Sequence, residues 1–211
     1  MEKFRLLKAN EIDVRVGSVI VSDKYKGVTL LLYKDARVDQ NILDEAVGPM
    51  NWQRSHQMIG DRLYCTVTIW DEDKKQWISK QDVGTESNNE KEKGAASDSF
   101  KRACFNVGIG RELYTAPFIC ISADYLKNFD EKNKKCKDNF CVTEITYNDD
   151  RTIQSLKIRN NSARTEFYVD QRGVKPVTTK TPKAPVTPPT EKTEKLKAEE
   201  VDTTNSLPFA M

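Results

Sequence analysis

The sequence holds a single histidine, His56, and five cysteines, none of them in a Cys-x-x-Cys pair. Structural zinc needs four converging nitrogen or sulfur ligands, and a disulfide framework needs an even set. Neither is offered, so Cys65, Cys104, Cys120, Cys136 and Cys141 are expected to be reduced thiols at apolar strand or helix positions. No apolar run approaches the roughly 20 residues that span a bilayer. The first stretch, MEKFRLLKANEIDVRVG, alternates charged and apolar residues without the apolar core of a secretory signal. A location in cytoplasm or nucleus is expected, with no membrane partner. A Gly-x-x-x-x-Gly-Lys-Ser/Thr phosphate loop is missing too. The stretch GIGREL at 108–113 lacks the third glycine of a dinucleotide loop and follows a helix instead of opening one, where the dipole has the wrong sign for phosphate. No cofactor is expected.

A strong charge of either sign is also lacking. The 211 residues carry a net charge of +2, and residues 1–170 hold 27 Lys and Arg against 27 Asp and Glu. A balanced total excludes a broad positive field, so any nucleic-acid reading must rest on local placement of cations.

What is present falls into two parts. From about residue 171 the chain becomes rich in Pro, Thr and Lys and poor in aromatics, too polar to offset its ordering entropy, and a disordered tail over 171–211 is expected. Residues 1–170 read as one folded domain. RVGSVIVS and GVTLLLY are β-branched or apolar runs that predict two strands, and DARVDQNILDEAVG places Val38, Ile42, Leu43, Ala46 and Val47 at helical spacing before the stop at Gly48-Pro49. NWQRSHQMI, RLYCTVTIW and QWISKQDVG predict an antiparallel meander, the last two joined by the turn DEDKKQ.

A long helix follows, capped by Ser87 or Asn88, with Glu90 and Glu92 favouring its positive end. Ala96, Phe100, Ala103, Cys104 and Val107 share one face for packing on the sheet. Lys101 and Arg102 lie more than about 100° from the centre of that face and are expected to look outward. Gly108 and Gly110 supply the left-handed cap and turn. PFICISADYL, a charged loop DEKNKKCKDN, and the strand candidates FCVTEITYN, TIQSLKIRN and TEFYVD complete the domain. The class is α+β: a β-β-β-α core with an antiparallel sheet, one long packing helix and flanking elements.

Taken alone, adjacent helix cations most often mean a solvated face. The wider order DVRVG, LLLYKDARVDQNILDEAVG, NW, DRLYCTVTIW, QDVGTES and SDSFKRACFNVGIG resembles the Rad-fifty-two family of single-strand annealing proteins, closest to its phage recombinases, over roughly residues 5 to 125. The resemblance implies an oligomeric ring of such protomers around a groove for single-stranded DNA. It implies a non-enzymatic role, annealing complementary strands without ATP in recombination or double-strand break repair in a bacterial host's cytoplasm, with a phage exonuclease or a single-strand-binding protein as further partners. By position, Lys101 and Arg102 match the family's phosphate-binding pair, Arg15 an arginine of the first strand region, Tyr33 an aromatic groove residue and Lys93 a helix lysine. Arg62 falls where the family has a basic residue of an outer DNA site. Phe105 departs from the pattern, standing where another arginine is expected, and Arg111 is the candidate to replace it.

The ending AEEVDTTNSLPFAM resembles the acidic tip of bacterial single-strand-binding proteins, which makes Leu207, Pro208 and Phe209 a candidate partner motif. Ala210 and Met211 follow the Phe, and a plain disordered ending stays the alternative. Two rivals remain for the domain: a module that coats single strands without pairing them, and a metal-dependent nuclease built on Asp71, Glu72 and Asp73. Those three carboxylates fall in a hairpin turn, where acidic residues are common anyway.

Overall fold

The computed structural model describes residues 4–85 and 91–177. The expected helix caps Ser87 and Asn88, and most of the tail with Leu207, Pro208 and Phe209, lie outside the described residues.

The fold is mixed α+β, with two helices and mostly antiparallel sheets. Strands β1 (Asp13–Val21) and β2 (Lys26–Tyr33) form a hairpin in which Arg15 sits opposite Leu31 and Tyr33 opposite Asp13, with a bulge between Val16 and Ser18. Val28 and Leu30 point into the core while Leu31 and Tyr33 point out, as a period of two requires. Helix α1 (Ala36–Val47) starts at Asp35, whose carboxylate accepts a hydrogen bond from the Arg37 N–H, and stops at Gly48 with φ +84°.

The meander is β3 (Trp52–Ile59), β4 (Arg62–Asp71) and β5 (Gln76–Val83), paired in that order. Asp71 accepts from the N–H groups of Asp73 and Lys74, so it shapes the β4–β5 turn. Helix α2 (Lys91–Val107) packs on β4 and β5. Its buried stripe is Ala95, Ser99, Phe100, Ala103 and Cys104, set against Cys65, Val67 and Ile69 of β4. The stripe is rotated slightly from the expected one, with Ala96 and Val107 only half-buried at its edges.

Beyond α2 come β6 (Ile119–Ser122), the short pair β7 (Phe129–Asp130) and β8 (Lys135–Cys136), then β9 (Phe140–Tyr147), β10 (Ile153–Asn160), β11 (Thr165–Asp170) and β12 (Gly173–Pro176). The large sheet runs β12-β11-β10-β9-β1-β2-β6. Two differences from the sequence reading appear here. The charged stretch read as a loop contains the β7–β8 hairpin, and Asp138 next to it accepts from the N–H groups of Lys127 and Asn128 and from the Asn160 amide. The tail begins later than expected, because β12 pairs with β11. Four residues containing Gly and Pro carry too little periodicity to register as a strand.

The β5–α2 approach depends on Gly84. A Cβ at this position would lie 2.1 Å from the Ala95 carbonyl oxygen and 2.8 Å from the Ser99 nitrogen, both backbone atoms of the helix. Gly84→Ala is therefore expected to cost about 2–3 kcal/mol. Thermal denaturation checks it, with the midpoint falling by about 5–10 °C; an unchanged midpoint would show that helix and strand separate freely.

All five cysteines are free, Cys65 and Cys104 in the core. Among the described residues no helix is long and apolar enough to cross a membrane.

Candidate nucleic-acid interface

The outward face of the β1–β2 hairpin and the polar side of α2 bound a cleft of about 950 Å³. Strand register decides its floor: Arg15 faces Leu31 across the hairpin, and Tyr33 follows two residues on, so all three side chains leave the same face. The Arg15 guanidinium lies 5.9 Å from the centre of the Tyr33 ring. The opposite wall carries Lys101 and Arg102. Both were expected to look outward; they are half-buried and line the cleft that β2 borders, Arg102 against Asp82 of β5. The 3-10 turn Arg111–Thr115 and the Pro117-Phe118 segment contribute the remaining boundary.

The cations differ in what holds them. Arg102 Nε donates to Asp82 Oδ1 at 3.3 Å, and the Asn106 amide donates to the other oxygen of the same carboxylate. Lys101 and Arg15 form no ion pair among the described residues. Asp98, the carboxylate on this wall, accepts from both the N–H and the hydroxyl of Thr85 at 2.9 Å, which ties the chain after β5 to the helix.

Beneath the cleft lies a buried ion pair. Lys34 Nζ is 2.5 Å from both Asp39 oxygens, and the two side chains are 1% and 0% exposed. The Phe105 ring covers the ammonium at 4.8 Å and meets Tyr114 edge-on, with centroids 5.0 Å apart. Gly110, at φ +76°, lets the turn pass so closely that a Cβ there would fall 2.2 Å from Lys34 Cε. Burial pushes the Asp39 carboxyl up to about 6, against the pull of Lys34 and, more weakly, Lys101. The same burial, with Asp39 nearby, raises the Cys104 thiol well above its ordinary range, so it is a packing residue and not a nucleophile.

This arrangement explains why position 105 is aromatic. An arginine there would press a second cation against Lys34, whereas a ring face attracts it. Arg111 does not stand in for the missing charge. Its guanidinium donates to the carbonyls of Phe105 and Asn106 at 2.6 and 3.0 Å, closing the end of α2, and it borders a different concavity with Glu112 and Arg151. Lys93, exposed in the first turn of α2, does not line the cleft. Arg62 borders a third concavity with His56 and Glu92. His56 lies exposed on β3, its Nε2 3.2 Å from the Ala96 carbonyl oxygen.

Of the sequence-derived candidates, then, the structure gathers Arg15, Tyr33, Lys101 and Arg102 at one cleft and leaves Lys93, Arg62 and Arg111 outside it. Residues missed by sequence reasoning are Lys34 with Asp39 below the floor, and the rim residues Tyr114 and Phe118. The signal for the last two was the aromatic pair in YTAPF, where an exposed ring precedes a strand. Chemically, a cleft with two cations that form no ion pair among the described residues, one partly paired arginine and several aromatic rings suits a chain that is anionic along its length and has flat apolar faces.

Comparison with family models, with curated proteins and with solved structures gives no match for this chain.

Proposed function

We propose that this protein binds single-stranded DNA in the Arg15–Lys101–Arg102 cleft and anneals complementary strands without ATP, as a Rad-fifty-two-type recombination protein of the phage class. The observation that supports the reading is the convergence of Arg15 from β1 with Lys101 and Arg102 from α2 on one cleft, in a domain whose overall charge is balanced.

The mechanism follows from where charge is placed. Cations along a groove hold the phosphates, and each phosphate neutralised adds about 0.7 to the salt slope of single-strand binding. Held by the backbone, the strand is straightened and its hairpins are suppressed, while the pairing edges of the bases stay open to a second strand. No ATP is needed, because each stacked base-pair step releases about 1.4 kcal/mol. Ten steps give on the order of 14 kcal/mol, enough to drive pairing and release from a shallow site. In a ring, clefts of successive protomers join into one track, with carboxylates kept at subunit contacts or outer faces. The same reading makes a partner exonuclease or single-strand-binding protein the source of the strand.

The test is a strand-pairing assay with complementary labelled oligonucleotides and no nucleotide triphosphate, alongside the mass of the native particle. Faster pairing by a multi-subunit particle is expected. Binding that slows pairing would replace this reading with a coating protein. Strand degradation abolished by chelator would replace it with a nuclease.

A further inference from the structure

The cleft's rim carries two large aromatic side chains that nothing in the fold uses fully. Tyr114 and Phe118 are each 74% exposed, although both border the cleft that holds Arg15, Lys101 and Arg102. Their placement is built. Tyr114 is seated edge-on against Phe105, one turn along α2 from Lys101, and Phe105 is itself pinned over Lys34. Phe118 comes one residue before Ile119, which pairs with Leu30 on β2. Phe118 lies just outside that ladder and lines the cleft together with Leu31, which faces Arg15. Each ring thus borders the cleft on the side of a phosphate-binding candidate: Phe118 shares the floor lining with Leu31 and Arg15, and Tyr114 continues the wall from Phe105 and Lys101.

We infer that Tyr114 and Phe118 form a base-stacking rim that takes unpaired nucleobases of the strand whose phosphates the cleft cations hold, an inference that rests on the single-strand reading above. A solvent-exposed ring beside cations is unfavourable for an apolar partner that would bury those charges, and suits a ligand with an anionic edge and a flat apolar face. Stacking engages the face of a base and leaves its pairing edge free, so it is compatible with annealing. It is also indifferent to sequence, since every base offers a π-face. The rim orders bases that backbone contacts alone would leave swinging.

The full-length protein is titrated with oligothymidylate and with an abasic phosphodiester chain of equal length, using wild type, Tyr114→Leu, Phe118→Leu and Phe118→Trp. Leucine keeps apolar bulk and removes the π-face. Wild type is expected to prefer the base-bearing chain by about 10-fold or more. Each leucine variant lowers that preference about 5- to 10-fold while abasic affinity, salt slope and particle mass stay unchanged, and Phe118→Trp raises it. Equal wild-type binding of both chains overturns the rim and leaves the backbone cleft standing. Binding of neither chain overturns both. Variants that weaken the two chains equally, or that change the particle mass, make the rings packing or subunit contacts and overturn the rim.

Discussion

Replacing Lys101 and Arg102 together by alanine is expected to weaken oligothymidylate binding about 100-fold at moderate salt and to abolish accelerated strand pairing. Hydrogen bonds to charged partners contribute about 1.5–3 kcal/mol each, and the loss of two at the lower figure corresponds to that factor. The single variants should be unequal. Lys101 forms no ion pair among the described residues and feels Asp35 and Asp39 only through space, so its ammonium can meet a phosphate without giving up a hydrogen bond to a carboxylate. Arg102 already donates to Asp82 and must share or exchange that contact on binding. Lys101→Ala should therefore cost more affinity than Arg102→Ala, in fluorescence anisotropy with the same oligonucleotide. Unchanged melting of both variants would separate the binding loss from unfolding, since neither side chain belongs to the core.

The other large effect concerns stability. Lys34→Met removes the one counter-charge that, among the described residues, lies in hydrogen-bonding reach of a fully buried carboxylate, and breaking such a pair costs about 3–5 kcal/mol. The melting midpoint should drop by about 10 °C at neutral pH. Adding Asp39→Asn to that background removes the stranded charge and should recover most of the loss, because paired burial and neutral burial come out close in free energy.

The pH dependence has a definite sign. Asp39 is raised from its ordinary value to about 6 by burial, so its contribution to stability is fully present below pH 4 and is lost as pH rises through 6. Without Lys34 the carboxyl rises further. The deficit of Lys34→Met relative to wild type should therefore shrink between pH 8 and pH 5 in denaturant titrations, and a deficit independent of pH would show that the ion pair is not its source.

The strands and helices were legible because their burial is local in pattern. Alternation in GVTLLLY places Leu30 inside and Leu31 outside, and Gly48-Pro49 ends α1 where it should. Cation positions on α2 were legible for the same reason, since helical spacing puts Lys101 and Arg102 opposite Phe100, Ala103 and Cys104. What periodicity cannot carry is the depth of a cleft. Whether Lys101 looks into solvent or across at β2 depends on how a hairpin far away in sequence is docked. Lys34 and Asp39 illustrate the same limit: in YKDARVD they read as polar residues at a helix entrance, and only the packing of Phe105 and Gly110 over them turns them into a buried pair. Phe105 has the same cause, since its ring lies against the Lys34 ammonium and spacing along the helix carries no sign of that neighbour. The β12 strand and the β7–β8 hairpin were hidden by composition, because Lys-rich and Pro-containing stretches of two to four residues pair only when a neighbouring strand offers an edge.

The salt dependence of single-strand affinity tests the central claim most directly. Measured for wild type, Arg15→Ala and Lys101→Ala over one range of salt, the plot of log affinity against log salt is expected to flatten by about 0.7 for each phosphate contact removed. An equal slope for all three proteins, with affinity intact, would contradict the account, because the cations of this cleft would then not be where the strand is held.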